Sequence, residues 1–262
     1  MRLPERFDLL GVPISALDLP TAVVAVERLA TERNPEGSAR YVCVRDVNGI
    51  VECQRDPELA AIHARAALVT PDGMPVVWWG RLSGHAVDRV YGPDLMTAVC
   101  DRSVAAGLRH FLYGGGPGLA EGLASELARR FPGIAIVGTY TPPFRPLTDE
   151  ERAAVVERLN ALRPDIVWVG LSSPKQERFM ADLAPRLRSG VLIGVGAAFD
   201  FLAGTKRQAP RFVQRSGFEW LFRLATEPRR LWRRYLVGNS TFVWLAGREL
   251  LRRRFGGAAQ RS

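Results

Sequence analysis

The sequence has little of what several classes of protein depend on. Its 262 residues include only three cysteines and three histidines, and none of them form a Cys-x-x-Cys or His-x-x-x-His pair. A disulfide framework or a zinc site of the usual spacing is therefore not expected. No apolar run approaches the roughly 18 to 20 residues of a transmembrane helix, and the first residues lack the pattern of a signal peptide. We therefore expect a cytoplasmic protein.

Common signatures of nucleotide and metal binding are also missing. The chain contains no Gly-x-x-x-x-Gly-Lys-Ser/Thr loop and no clean Gly-x-Gly-x-x-Gly fingerprint. No Asp-x-Asp pair occurs, although many enzymes that act on nucleotide sugars hold a divalent metal on the diphosphate with such a pair. If the ligand carries a diphosphate, arginines or helix N-termini must supply the positive charge. Neither a metal nor a cofactor is expected.

The positive charge is confined to one end of the chain. The net charge is +9, from 36 Lys and Arg against 27 Asp and Glu, yet residues 206–262 alone hold fourteen basic and three acidic residues. The rest of the chain is slightly acidic. Aromatic residues alternate with the arginines of this segment, a composition that suits an anionic membrane surface, a phosphorylated ligand or nucleic acid. Arg223, Arg230 and either Arg233 or Arg234 are spaced to share one face of a continuous helix, although Pro228 interrupts it.

Short β-rich apolar runs alternate with amphipathic segments of ten to fifteen residues, beginning with a first strand predicted at residues 38–46. This alternation predicts an α/β fold, a Rossmann-like parallel sheet with helices on both faces. After Gly204 the chain becomes a basic, aromatic-rich helical appendage, which Pro228 divides. We therefore predict a catalytic domain at residues 1–204 and a C-terminal appendage at residues 205–262.

Local signals place several helices. Asp56 and Pro57 begin a helix that runs to Arg65, and Thr148 with Glu151 forms a capping-box pattern. Pro174 is predicted in the first turn of a helix, after a strand at residues 165–170.

Polar residues at the ends of predicted strands are the candidate site. Ligands of open parallel sheets bind outside the carboxyl ends of the strands. Asp72, in the turn Thr70-Pro71-Asp72-Gly73, is a candidate general base, although aspartate is also an ordinary turn residue. Asp46 and Asn48 follow the preceding strand, so they can reach the same cleft. Asn48 either exchanges hydrogen bonds with a sugar hydroxyl there or is an ordinary turn residue.

Two further turns can each be interpreted in two ways. Gly114 and Gly115 begin a glycine-rich turn that fits either phosphate binding or the geometry of a tight turn. Lys175, Gln176 and Glu177 begin a helix, so they either face the ligand or simply complete the helix N-terminus. The three histidines are interpreted as structural, with His63 on a polar helix.

Several segments together resemble the WecG/TagA/CpsF glycosyltransferases. The segments are TPDGMP at 70–75, RVYGPDLM at 89–96, FLYGGGPG at 111–118, PDIVWVGLSSPKQE at 164–177, GVGAAFDFLAG at 194–204 and RQAPRFVQRSGFEWLFRLATEPRRLWRRYL at 207–236. The resemblance runs from about residue 8 to 245.

This resemblance implies an inverting, metal-independent transfer of a sugar from a UDP-sugar donor, of ManNAc type or a hexose. The acceptor would be a polyprenyl-diphosphate-linked sugar at the inner face of the cytoplasmic membrane. The reaction would belong to the synthesis of a cell-surface polysaccharide or a teichoic-acid-type polymer. The anionic membrane surface would then be a further partner, nucleic acid would not be one, and a homo-oligomer is left open.

The resemblance also assigns roles to residues. Asp72 would be the base, and Arg223, Arg230 and Arg233 would neutralise a diphosphate. The substrate cleft would include Asp46, Asn48, Gly73, Arg89, Asp94, Gly114, Gly115, Lys175, Gln176 and Glu177.

One position departs from the family pattern. Asp46 stands where the family often has threonine, so a second carboxylate would compete with Asp72 for the base role. Two alternatives from other classes are an NAD-type dehydrogenase that uses the turn at residues 114–118 and a non-catalytic nucleic-acid-binding protein.

Overall fold

The computed structural model describes residues 3–32 and 34–256 of the chain. Strands β1 (Arg6–Leu9) and β2 (Val12–Ser15) form an antiparallel hairpin, and helix α1 (Leu19–Thr31) follows. The sequence analysis did not predict the hairpin, because strands of four residues are too short for alternation to separate them from a loop. The strand predicted at residues 38–46 is therefore the third of the chain.

The main sheet has six strands, and every neighbouring pair is parallel. Its strands are β3 (Arg40–Arg45), β4 (Leu68–Pro71), β5 (Arg109–Gly114), β6 (Ala135–Tyr140), β7 (Ile166–Gly170) and β8 (Val191–Gly194). Their order is β4-β3-β8-β7-β5-β6. The predicted α/β class and parallel sheet are confirmed.

Helices connect these strands and complete the chain. They are α2 (Val47–Cys53), α3 (Pro57–Arg65), α4 (Met74–Leu82), α5 (Gly92–Ala106), α6 (Leu119–Arg130), α7 (Asp149–Leu162), α8 (Lys175–Leu183), α9 (Ala198–Leu202), α10 (Arg211–Arg215), α11 (Glu219–Thr226), α12 (Pro228–Trp232) and α13 (Gly238–Gly256). A 3₁₀ turn lies at Ala184–Arg186, and a π-helical turn at Arg233–Val237 joins α12 to α13 without a break.

Each face of the sheet carries its own hydrophobic core. On β7, Val167 and Val169 belong to one core, whereas Ile166 and Trp168 belong to the other. Because successive side chains of a strand point to opposite faces, the two cores lie on opposite sides of the sheet. Helices therefore cover both faces, as predicted.

The helix-start signals have mixed outcomes. The capping box is confirmed: Thr148 Oγ1 accepts the N–H of Glu151 (3.2 Å), and the Glu151 carboxylate accepts the N–H of Thr148 (2.9 Å). The prediction for Pro174 was wrong by one position. Pro174 is the cap residue before α8, because its carbonyl already accepts the first helical bond, from the N–H of Arg178 (3.3 Å).

The helices after residue 205 pack onto the α/β body. Leu231, Tyr235 and Phe242 are buried, and Phe242 belongs to the same core as the hairpin and α2. Pro228 separates α11 from α12, as predicted. In the part of the chain that the structure describes, no helix combines the length and apolarity needed to cross a membrane.

Candidate active site

A polar cavity of about 350 Å³ opens at the carboxyl ends of β3, β4, β7 and β8. Strands β3 and β8 are neighbours in the sheet although they are far apart in the sequence. Such a reversal of strand order opens a crevice for ligands in parallel sheets. The lining includes Asp46, Asp72, Tyr91, Gln176, Arg223, Arg230, Arg234 and the loops at residues 170–173 and 194–198.

A second, mostly apolar cavity of about 650 Å³ lies between α4, α13 and the loop at residues 216–220. The two cavities share Asp46, Asp72 and Arg223 in their linings. A polar and an apolar compartment therefore meet at Asp72.

Asp72 follows β4 directly. Gly73 comes next with a φ of +101°, a backbone conformation that favours glycine, and this turn leads into α4. The Asp72 side chain is 24% exposed and pairs with Arg89 (Oδ1 to Nη2, 3.2 Å). Burial raises the pKa of Asp72 to about 6, because the opposing effect of Arg89 is offset in part by Glu219 and Asp46. At neutral pH Asp72 is mostly ionised and can accept a proton.

Arg89 joins the C-terminal segment to Asp72. Its Nη2 donates to both Asp72 and Glu219, and its Nη1 donates to the carbonyl of Gln214 (3.1 Å). The guanidinium also lies 4.3 Å from the centre of the Tyr91 ring. Because its donors already have protein partners, Arg89 orients Asp72 rather than standing free in the cleft.

Asp46 is bound differently from Asp72. It caps α2 by accepting the N–H of Gly49 (3.0 Å), and its other oxygen pairs with Arg234 Nη2 (2.7 Å). Burial would raise the pKa of Asp46, but Arg234 and Arg45 outweigh it and lower the pKa to about 2. The two carboxylates therefore differ in basicity, and Asp72 is the stronger proton acceptor.

Asn48 lies in the first turn of α2, outside the linings of both cavities. Its amide donates to Glu52 Oε1 (3.1 Å). A Cβ atom on Gly238 would lie 2.6 Å from Asn48 Oδ1, so α13 packs directly over this side chain. The structure thus encloses Asn48 between two helices.

The three candidate residues at the start of α8 lie in different surroundings. Gln176 lines the polar cavity, where its Oε1 accepts the N–H of Gly196 (3.1 Å) and its Nε2 donates to Glu177 (2.8 Å). Glu177 is fully buried behind it, and Lys175 lies outside the linings of both cavities. Gln176 therefore ties the loop after β7 to the loop after β8.

A buried ion pair supports these loops from below. Arg45 Nη2 lies 2.8 Å from Glu177 Oε1, and both side chains are at most 2% exposed. Arg45 also donates to Ser173 Oγ (2.8 Å) and to His63 Nε2 (2.6 Å). The interpretation of His63 as a residue of a polar helix was wrong, because His63 is completely buried and burial, with Arg45, lowers its pKa to about 4. The sequence signal that could have pointed to this buried ion pair was Arg45, a charged residue at the end of an apolar strand.

Three other candidates lie outside both cavities. Gly114 has a φ of +126°, and a Cβ there would lie 2.6 Å from the carbonyl oxygen of Gly170, so close packing of β5 on β7 accounts for this glycine. A Cβ on Gly115 would meet Leu119. Asp94 pairs with Arg211 (3.1 Å) at the surface.

Some of the arginines of the C-terminal segment lie together at the polar cavity, and others do not. Arg223, Arg230 and Arg234 line the polar cavity, whereas Arg233 lies outside it, with its guanidinium 5.2 Å from the centre of the Trp232 ring. The π-helical turn that begins at Arg233 has more residues per turn than an α-helix. Arg234, four residues after Arg230, lines the cavity, whereas Arg233, three residues after Arg230, does not.

Tyr91 is a cavity residue that the sequence analysis did not select. Its hydroxyl is buried in the lining of the polar cavity and has no hydrogen-bond partner among the described residues. Burial strongly raises its pKa, so the hydroxyl stays neutral and can donate. Only its place in the segment at residues 89–96 could have pointed to it.

The described residues contain no group of three His, Cys, Asp or Glu side chains arranged to hold a metal ion. Positive charge beside the polar cavity comes from the arginines named above.

Comparison with known proteins identifies a family and a relative of this chain. The model of the Glycosyl transferase WecG/TagA/CpsF family matches residues 7–256. An N-acetylglucosaminyldiphosphoundecaprenol N-acetyl-beta-D-mannosaminyltransferase from Bacillus spizizenii is 30% identical over 227 residues, which is 86% of each chain.

Proposed function

Because the chain belongs to the WecG/TagA/CpsF family of glycosyltransferases, we propose that it transfers a sugar from a UDP-sugar to a polyprenyl-diphosphate-linked sugar. The donor would be of ManNAc type or a hexose, and the transfer would invert the anomeric carbon without a metal. Membership of this family sets aside the dehydrogenase and nucleic-acid alternatives. The observation that carries the proposal is the meeting of a polar and an apolar cavity at Asp72.

In this mechanism Asp72 removes the proton from the attacking hydroxyl of the acceptor sugar. The oxygen then bonds to the anomeric carbon as the bond to the UDP oxygen breaks. A pKa of about 6 suits this step, because the carboxylate is ionised at neutral pH yet is more basic than an ordinary aspartate. Asp46 is less suited, because both of its oxygens already accept bonds from Arg234 and from the N–H of Gly49.

The leaving diphosphate would lie among the arginines of the polar cavity. Arg223 and Arg230 come from α11 and α12, so the segment after residue 205 would complete the donor site. Positive groups that face the departing oxygen stabilise the charge that develops there, which is the role a metal has in other glycosyltransferases. We propose that the Tyr91 hydroxyl bonds to the donor, because it is a buried hydroxyl in this lining without a hydrogen-bond partner among the described residues.

A transfer assay tests the proposal directly. The purified protein would be incubated with a panel of UDP-sugars and N-acetylglucosaminyl-diphosphate-polyprenol, and the lipid product and the released UDP would be measured. Product formation that persists in EDTA is expected, and its anomeric configuration should be opposite to that of the donor. Loss of all transfer in EDTA would contradict the metal-independent mechanism.

If the arginines of the polar cavity bind the diphosphate, substitutions of two adjacent arginines of α12 should have different effects. Replacing Arg230 by methionine should weaken UDP binding about tenfold, because a charge-assisted hydrogen bond contributes roughly 1.5 to 3 kcal/mol. Arg229→Met is the matched control, since Arg229 is exposed and outside the cavity lining. Calorimetric titration with UDP would measure both variants. Equal weakening in the two would indicate a general charge effect and contradict a specific site.

The localisation proposal is a peripheral contact with the inner face of the cytoplasmic membrane. Trp232, Leu236 and Trp244 are about half exposed on the C-terminal helices, among arginines. Apolar rings beside arginines suit the headgroup region of an anionic bilayer.

Vesicle binding should therefore depend on the two tryptophans. Replacing Trp232 and Trp244 by serine should lower partitioning onto phosphatidylglycerol vesicles by about tenfold for each ring, because each loses a large apolar surface. Phe144→Ser is the control, since Phe144 is 90% exposed in the loop before α7. Co-sedimentation would measure partitioning, and a comparable loss in the control would contradict this contact surface.

A further inference from the structure

We propose that the apolar cavity between α4 and α13 is a prenyl groove, which binds the isoprene units nearest to the diphosphate of the acceptor. The inference rests on the proposed function and deepens it, because it assigns the two substrates to different compartments. The donor would occupy the polar cavity, and the lipid end of the acceptor would occupy the prenyl groove.

Two helices supply facing apolar stripes. On α4, Met74, Trp78 and Leu82 line the groove at spacings of four residues. On α13, Phe242, Val243, Ala246 and Leu250 line it at spacings of three and four residues. These spacings place each set on one face of its helix. Two helices therefore supply most of the apolar lining of the groove, and the loop at residues 216–220 completes it.

The inner end of the groove is charged. Asp72 and Arg223 belong to the linings of both cavities. Arg223 has no carboxylate within salt-bridge distance among the described residues, whereas Arg89 pairs with Asp72 and Glu219, and Arg234 pairs with Asp46. An occupant that fits has a hydroxyl within reach of Asp72, an anionic group at Arg223 and a path of apolar groups behind that group. A sugar linked through a diphosphate to a polyprenyl chain has these three features in this order.

The outer end of the groove is open. Leu82 and Val243 remain largely exposed although they line the groove, and Trp78 is about half exposed. A long prenyl chain can leave the groove here. The exposed Trp232 and Trp244, proposed above to meet the membrane, belong to the same run of C-terminal helices.

A binding experiment without membrane or catalysis tests the groove. Farnesyl diphosphate carries three isoprene units on a diphosphate, and methyl diphosphate carries the head alone. Calorimetric titration of the full chain in detergent-free buffer should show at least tenfold tighter binding of farnesyl diphosphate. This ratio should fall toward one in Val243→Glu and in Leu250→Glu, because a carboxylate would then lie in the apolar groove.

The same helices provide matched controls. Leu251 is next to Leu250, and Val237 precedes Val243 by six residues; both are about half exposed and lie outside the groove lining. Leu251→Glu and Val237→Glu introduce the same charge and should keep the farnesyl preference of the wild type. Thermal unfolding would verify that all four variants are folded.

Several results would overturn the assignment. One is a wild-type protein that binds the two diphosphates equally, and another is an equal loss of preference in groove and control variants. Displacement of farnesyl diphosphate by an equal concentration of dodecyl phosphate would indicate a general site for anionic lipids. A concentration-dependent dimer that Val243→Glu dissociates would assign the groove to a second copy of the chain.

The binding and transfer assays separate the two proposals. If no polyprenyl acceptor receives a sugar but the farnesyl preference and its loss in the groove variants are observed, the proposed transfer fails and the groove remains. If transfer occurs at the same rate with farnesyl and methyl acceptors, the transfer stands and the groove assignment fails.

Discussion

Replacing Asp72 by asparagine should lower kcat for sugar transfer by roughly 10²- to 10⁴-fold, the contribution of a positioned general base. Asparagine keeps the shape of the side chain at the junction of the two cavities but cannot take the proton of the acceptor hydroxyl. Arg89 retains Glu219 as its partner, so the variant leaves no unpaired buried arginine. Steady-state kinetics with donor and acceptor would measure the loss, which should fall on kcat more than on KM.

The pH dependence links this loss to the carboxylate. The pKa of Asp72 is raised to about 6, so the rate of the wild type should climb as the pH rises through 6 and then level off. The residual activity of Asp72→Asn should not show this rise of the rate with pH. Because the raised pKa means that the folded state favours the neutral acid, the variant should unfold at an equal or higher temperature at neutral pH.

An exposed aspartate serves as the control for this substitution. Asp101→Asn, on α5, should retain wild-type kinetics. A full rate in Asp72→Asn, or an unchanged acidic limb, would remove Asp72 from the base role and return Asp46 to consideration.

Replacing Arg45 by methionine should lower the free energy of unfolding by about 3 to 5 kcal/mol, the cost of breaking a buried ion pair by removing one partner. The methionine would leave the fully buried carboxyl group of Glu177 without its cation. It would also remove the donors to Ser173 and His63, which hold the loop after β7 and helix α3. Chemical denaturation would measure the change.

Two further variants separate the buried charge from the general effect of losing an arginine. Arg102→Met breaks the exposed pair with Glu27 and should cost about 1 kcal/mol or less. Arg45→Met combined with Glu177→Leu should recover part of the loss, because the double variant leaves no unpaired buried charge. A loss in Arg45→Met no larger than in Arg102→Met would show that the network adds no measurable stability.

The sequence predicted the main sheet because its strands read as short apolar runs between turn residues, and all of them except the edge strand β6 are mostly buried. It placed Asp72, Asp46 and Gln176 correctly at strand or helix ends, since turn chemistry is local. The sequence could not show whether Gly114 is required for close packing on β7, as the structure has it, or for phosphate binding. The neighbour that decides between these roles lies more than fifty residues away.

The sequence by itself determined the α/β class, the family and the segregation of positive charge, and it supplied the candidate residues for the chemistry. These follow from local periodicity, composition and motif, which need no knowledge of contacts. Only the tertiary structure decided that Arg234 rather than Arg233 faces the polar cavity, that Asn48 is enclosed, and that Asp46 and Asp72 differ in pKa. Each of these depends on a partner from a distant part of the chain, because burial and pairing are properties of packing and not of spacing along the sequence.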